Sequence, residues 1–235
     1  TPIELVESEV PIEILRYGLA PDSGGAGRYR GGLGTWLEFK VFSPNTRITA
    51  RNRDRTRFRP WGVLGGRAGK PSNFILNPGT NREKVLGNAD LLTAEPGDVI
   101  RFYGPGGGGR GSPLDRETSR VAQDVDRGYV SVEAAKAEYG VILSDGVVDE
   151  AGTAALRQEM QRHSDHFDFG PERTAFEETW SREKYNELTE ILMGLPVHWR
   201  FFVKSQIFDS LKDDEDVSVR TAFDRVSREH PQIAT

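Results

Sequence analysis

Up to about residue 112 the apolar positions come in short runs closed off by Gly, Pro, Asn and Asp, as at 36–42, Asn73–Leu76 and Val99–Tyr103. Runs of that length between turn formers predict strands. In Glu95-Pro96-Gly97-Asp98, Pro and Gly occupy the centre of a type II turn that would feed the strand Val99–Tyr103. The first twenty residues are less decisive, with Ile12, Glu13, Ile14 and Leu15 reading as extended chain. Beyond Pro113 the period lengthens. Leu114, Val121, Ala122 and Val125 recur at helical spacing, and Gly128 follows as a stop. Ser131 is placed to cap a helix through Tyr139 that Gly140 closes. Further helices are predicted at 149–163, at 181–193 with Gly194 after it, at 196–211 and around 217–228, the last set off by the acidic run 213–216. The pattern predicts an α+β chain with a β-rich glycine-rich region over 1–112, a helical hairpin and short strand over 113–145, and a helical extension over 146–235.

Composition narrows the class. With 235 residues, 36% of them hydrophobic, the chain can bury one large or two small cores. It has no apolar run of about 18 residues and no basic start followed by an apolar core, so neither a membrane span nor a signal peptide is expected. The absence of cysteine excludes disulfides, thiolate metal sites and a cysteine nucleophile, and fits a cytoplasmic protein. The net charge of -5 conceals an asymmetry: residues 1–112 carry 16 Lys/Arg against 11 Asp/Glu, and residues 113–235 carry 15 against 25. Of the 26 glycines, six lie between Gly24 and Gly34 and six more between Gly104 and Gly111. Both segments call for backbone that a side chain would obstruct.

Three features are candidates for chemistry. Arg51, Arg53, Arg55, Arg57 and Arg59 alternate with other residues, so an extended strand would project all five guanidinium groups from one face. Such a stripe suits bulk solvent, the carboxylates of a partner, or a phosphorylated ligand held bidentately. Nucleic acid is not expected, because the chain is acidic overall and Phe58 and Trp61 do not form a series of stacking platforms. The loop Gly104-Pro105-Gly106-Gly107-Gly108-Gly109-Arg110-Gly111 stands between a predicted strand and a predicted helix, where exposed N–H groups can cradle an anion. Its spacing matches neither a P-loop nor a dinucleotide fingerprint; a ligand-contacting loop and close backbone packing stand as equal readings, with a hinge as the lesser third. Finally, His163, Asp165, His166 and Asp168 have the residue types and spacing of metal ligands on a helical face. They also stand where polar capping residues belong, before Gly170-Pro171, so no metal is assigned. Thr1 has the chemistry of an N-terminal nucleophile but is equally a chain boundary, so no catalytic residue is assigned.

An ordered series of segments resembles the C-terminal part of the hydantoinase B/oxoprolinase family. These are Thr1-Pro2-Ile3-Glu4, the run from Pro21 through Gly24-Gly25 to Gly31-Gly32-Leu33-Gly34, Pro60-Trp61-Gly62-Val63 with Gly65-Gly66, Glu95-Pro96-Gly97-Asp98-Val99, Gly106 to Gly109 with Gly111 and Pro113-Leu114, Gly128-Tyr129-Val130-Ser131 and Tyr139-Gly140-Val141. Residues 144–235 resemble the longer helical tail of some members, through Phe167-Asp168-Phe169-Gly170-Pro171. The resemblance implies an ATP-dependent enzyme in which an ATPase-like A component, carrying ATP and Mg, phosphorylates an amide or enol oxygen. The B component then supports hydrolysis of a cyclic amide or, in ketone carboxylases of the acetone and acetophenone type, carbon–carbon bond formation.

Family members are usually more than twice this length, and their acidic and histidine metal ligands lie upstream of the region seen here. The resemblance therefore implies a C-terminal segment or split subunit whose partners are an N-terminal B-type half, where a divalent metal would sit, and the A component. No cofactor is expected within this chain. Ligand or interface contact is expected at Arg53, Arg55, Arg57, Arg59, Trp61, Gly106, Gly107, Gly108, Gly109 and Arg110. A purely structural assembly module is the alternative.

Overall fold

A computed structural model describes residues 2–50, 55–87, 89–213 and 217–234. The chain divides into two compact units, Thr1–Arg173 and Thr174–Thr235. Its elements run α1 (Ile3–Glu9), β1 (Ile12–Leu19), β2 (Thr35–Val41), β3 (Thr46–Ala50), β4 (Gly62–Val63), β5 (Asn73–Leu76), β6 (Lys84–Val85), β7 (Ala89–Ala94), β8 (Val99–Tyr103), α2 (Thr118–Asp126), α3 (Val132–Tyr139), β9 (Leu143–Ser144), β10 (Val147–Val148), α4 (Glu150–Glu159), β11 (Phe167–Asp168), α5 (Pro171–Thr179), α6 (Arg182–Met193), α7 (Val197–Asp213) and α8 (Val219–Glu229). Strands dominate the first part and helices the second, an α+β arrangement. Among the described residues no helix is long and apolar enough to cross a membrane.

Five strands of the first unit form one antiparallel sheet in the order β1-β2-β8-β5-β6. Its register places Phe39 opposite Ile100 and Ile100 opposite Leu76, while Leu37 faces Phe102 and Phe102 faces Phe74. Because side chains alternate across a strand, these residues share one face. Val41, Phe74, Leu76 and Ile100 on that face pack with Ala50 and Ala94 of the separate β3-β7 pair to make a core. The turn predicted before β8 forms, with Gly97 at φ 91° and the Asp98 amide donating to the Glu95 carbonyl at 3.0 Å.

A second core lies under α2 and α3, where Val121, Val130, Ala135, Tyr139 and Val141 are buried around Ala26 of the first glycine segment. Helix α3 begins and ends where the sequence indicates, whereas Leu114, read into the first helical period, lies in a separate 3-10 turn, Pro113–Asp115, and α2 begins only at Thr118. The Ser131 Oγ accepts from the Ala134 amide at 3.0 Å, and Gly140 takes the left-handed conformation at φ 61°. Asp149 caps α4 in the same way, accepting from the Gly152 amide at 2.9 Å. Helix α4 stops at Glu159, four residues short of the expected 149–163, because Met160 turns extended and the chain runs on to pair β11 with β4.

The second unit has its own core. On α7, Val203, Ile207 and Leu211 fall on one helical line and are fully buried, as are Val219 and Ala222 of α8. Trp180 stacks on Phe208 with ring centroids 4.1 Å apart. Ser181 and Ser218 cap α6 and α8, accepting from the Lys184 and Thr221 amides at 3.4 and 3.0 Å.

Candidate functional site

The glycine segments meet as bare backbone. The Gly25 amide donates to the Gly107 carbonyl and the Gly107 amide to the Gly32 carbonyl, each at 2.8 Å. The Gly106 amide donates to Lys70 at 3.1 Å, the Gly109 amide to Arg67 at 2.9 Å, and the Val63 amide to Gly109 at 3.0 Å. A third glycine-rich stretch, 62–70, thus lies against the two read from the sequence. A Cβ on Gly106 would overlap the Ser23 carbonyl, and one on Gly108 the Trp61 carbonyl. Of the open readings for this loop, close backbone packing is the arrangement found. The amides of Gly106, Gly107, Gly109 and Arg110 are engaged by carbonyls, and those four cannot at the same time cradle an anion.

A cleft of about 490 Å³ opens between this layer and α3. Asp22 fixes the junction: its backbone is left-handed at φ 56°, its amide donates to the Tyr129 carbonyl at 3.0 Å, and its Oδ1 accepts from the Ser131 amide at 2.7 Å. Among the described residues the lining carries seven charged side chains: Asp22, Arg59, Arg67, Lys70, Glu133, Glu138 and Asp168. Three are committed to structure. Arg59 makes a bidentate pair with Glu172, donating from Nε and Nη2 at 2.7 Å each, which holds the Glu172 carboxyl below the usual carboxylate range. Asp168 accepts from the Ala68 and Gly170 amides, both at 2.9 Å, and Asp22 is used as described. Among the described residues, the side chains of Arg67, Lys70, Glu133 and Glu138 have no hydrogen-bond or ionic partner. Arg67 is half-buried and the other three are exposed.

Tyr139 lies at the base of α3, 2% exposed, with no hydrogen-bond partner for its hydroxyl among the described residues. Burial pushes that phenol up to about 12. Close by in sequence and core, Asp124 accepts from two guanidinium groups, Arg30 Nε at 3.1 Å and Arg116 Nη2 at 2.8 Å, and so ties the first glycine segment to α2.

The predicted arginine stripe is not a strand where it can be seen. Arg51 and Arg53 lie outside the described residues, as does Thr1, and residues 55–59 run through turns and bends with Arg55 at φ 61°. The three described guanidinium groups diverge. Arg55 stands 4.8 Å over the Trp61 ring, Arg57 stands 5.1 Å over Phe58, and Arg59 holds Glu172. Trp61 is 44% exposed and meets Phe169 edge-on at 6.1 Å. Arg110 is exposed, with its guanidinium 5.8 Å from the Tyr29 ring. His163, Asp165, His166 and Asp168 do not share a helical face. The Leu64 and Gly65 amides capture the His166 and Asp165 carbonyls at 2.8 and 3.0 Å, drawing the segment out as chain and strand. Among the described residues no group of three or more His, Cys, Asp or Glu could hold a metal ion.

Arg67, Lys70, Glu133 and Glu138 were not legible as a set, because lone charged residues on different segments carry no spacing. The signal available was the third glycine cluster at Gly65-Gly66 and Gly69, which marks another close backbone approach and so brings Arg67 and Lys70 beside the first two.

Residues 1–113 match the family model for Hydantoinase B/oxoprolinase. Residues 1–113 belong to that family. It is 39% identical over 165 residues to caprolactamase subunit beta of Pseudomonas jessenii, covering 66% of this chain and 27% of that subunit. The crystal structure of the ATP-dependent caprolactamase from the same organism matches with TM-score 0.50 at 36% identity, over 67% of this chain and 28% of that one. The acetone carboxylase alpha subunit of Xanthobacter autotrophicus is 28% identical over 209 residues, 68% of this chain and 26% of that subunit. A nucleotide-free acetone carboxylase structure shares the fold over 99% of this chain and 33% of the other, with TM-score 0.55 and 21% identity. The chain therefore spans between a quarter and a third of the length of these hydantoinase B/oxoprolinase relatives.

Proposed function

We propose that this chain forms the C-terminal part of a B-type component in an ATP-dependent cyclic amide hydrolase, acting with an ATPase-like A component and the remainder of the B component. The observation that carries the reading is its 39% identity to the caprolactamase beta subunit, against 28% to the acetone carboxylase alpha subunit. A lactam carbonyl is a poor electrophile because the nitrogen lone pair is delocalised onto it. Phosphorylating the amide oxygen gives an imidate phosphate whose carbon water can attack at neutral pH; the tetrahedral adduct expels the ring nitrogen as the amine, and a second water releases the resulting acyl phosphate as carboxylate and inorganic phosphate. ATP and Mg would be held by the A component. In this chain the interlocked glycine layer supplies a rigid support, and the exposed Trp61 with Arg55 above it offers a cationic aromatic contact to ligand or partner.

A ketone carboxylase is the second reading. It is favoured by the acetone carboxylase likeness in fold, which extends over 99% of the chain and so includes the helices after residue 174. The deciding experiment purifies the complex containing this chain and supplies ATP with either a lactam or a ketone plus bicarbonate. ATP-dependent release of the ring-opened amino acid is expected. Carboxylation of the ketone, with no lactam opened, would transfer the function to the second reading.

A further inference from the structure

We propose that the cleft between the glycine layer and α3 is a binding site for a linear amino acid, a molecule carrying a carboxylate and an ammonium group separated by a short apolar chain. The class follows from which charges remain unused. Of the seven charged residues lining the cleft, Arg59, Asp22 and Asp168 already serve Glu172 and backbone amides. That leaves two cations, Arg67 and Lys70, from the 62–70 stretch, and two carboxylates, Glu133 and Glu138, from α3. A simple anion would satisfy the first pair and meet repulsion from the second and from Asp22 and Asp168, which stay charged on their neutral amide donors; a simple amine would leave Arg67 and Lys70 without a counter-charge. A zwitterion satisfies both, and uncharged lining from Ala68, Val130, Ala134 and Ala137 suits the methylenes between its ends. The volume, about 490 Å³, falls within the range of small-molecule sites, about 300–1,000 Å³.

The Arg67 backbone is held independently of its side chain, its amide donating to the Ala26 carbonyl at 2.7 Å and its carbonyl accepting from Gly109. The guanidinium is thus presented by a fixed segment, which lowers the entropy cost of binding. Hydrolysis of a lactam ring yields such a molecule, so in its choice of ligand the proposal rests on the cyclic amide reading. The cleft would then retain or sense the product of the reaction.

The test is isothermal titration of the full chain, in the complex with which it purifies and without ATP, using 6-aminohexanoate, hexanoate and hexylamine. Saturable binding of the amino acid is expected, with each singly charged analogue weaker by about tenfold or more. Arg67→Gln and Glu138→Gln should each weaken the amino acid by about tenfold, bringing it towards its singly charged analogues, with unchanged unfolding temperature. Equal affinity for the three compounds, or affinities within twofold for the variants, would overturn the site. Binding needs neither ATP nor turnover, so its failure beside intact lactam opening counts against the cleft alone. Binding beside a complex that opens no lactam counts against the hydrolase reading alone.

Discussion

Neighbouring glycines in the first segment have opposite roles. Gly31 is buried and a Cβ there would overlap the Gly107 carbonyl, whereas Gly32 is exposed with nothing within 4 Å of the added atom. Neither position is described by a positive φ, so the contrast is one of space alone. Gly31→Ala should therefore cost about 3 kcal/mol, since backbone rather than a flexible side chain must move. Gly32→Ala should change stability by no more than about 0.5 kcal/mol. Chemical denaturation of the two variants checks this, and equal losses would show that the layer is not interlocked as described. Tyr139 makes a second case at this scale. Its folded pKa, about 12, lies above the ordinary 10.0 because burial disfavours the phenolate. The raised value stabilises the fold below pH 10, and that contribution is lost as pH rises from 10 towards 12. Tyr139→Phe should flatten this alkaline loss, and it should be neutral or slightly stabilising at pH 7 because the hydroxyl it removes has no partner among the described residues. A variant whose alkaline profile still parallels the native one would refute the assignment.

Among the elements, the corner joining β5 to β8 depends on one carboxylate. Asp98 accepts from the Glu95 amide and from Asn77 Nδ2, both at 2.9 Å, and pairs with Arg82 at 3.0 Å. The Glu95 amide bond is the largest influence holding its carboxyl below the ordinary 3.8. The resulting stability is present above that value and lost as pH falls through the lower, folded one. Asp98→Asn sets an NH₂ either against the Glu95 amide or against the Asn77 and Arg82 donors, removes the charge paired with Arg82, and should cost about 1–3 kcal/mol at pH 7, with a smaller further loss on acidification. An acid titration of thermal stability in both proteins distinguishes this from a uniform destabilisation.

The turn containing Asp98 was legible because Pro96 and Gly97 have few other uses. Helices α3 and α6 were legible for the same kind of reason, each having a serine at its start and a glycine stop, and α8 through the acidic run 213–216 before it. Elements without local markers were not. Helix α1 is only seven residues long and buries none of them, too short to establish a helical period in the sequence. The β9-β10 hairpin did carry a marker in Asp145-Gly146, at φ 51° and 79°, but its two-residue strands are too short to show alternation. The arginine alternation at 51–59 looked like a strand because period two was its only local signal, and for 55–59 tertiary contacts with Trp61, Phe58 and Glu172 outweigh it. The candidate cleft shows the same limit: its glycines were visible, and its unpaired charges became a set only through the fold.

At the scale of the whole molecule, the change of composition near residue 112 and the division at residue 173 are different boundaries. The first marks where strands give way to helices, yet α2 and α3 bury Val121, Ala135 and Tyr139 in the same core as Ala26, inside the first unit. The second marks a change of core. Beyond it, Trp180, Leu188, Ile191, Val203, Ile207 and Leu211 are each no more than 5% exposed. Trp180, stacked on Phe208, is the largest side chain among them, so Trp180→Ala should cost about 3–5 kcal/mol of that core's stability. Because the first unit buries a separate set of residues, the loss should be confined to 174–235. Hydrogen exchange followed residue by residue is the suitable measurement. Amides of α6, α7 and α8 should lose protection in the variant, while those of β2, β5 and β8 keep theirs. A uniform fall across both sets would mean that the two units unfold as one cooperative body, and the division of the chain into two cores would have no energetic content.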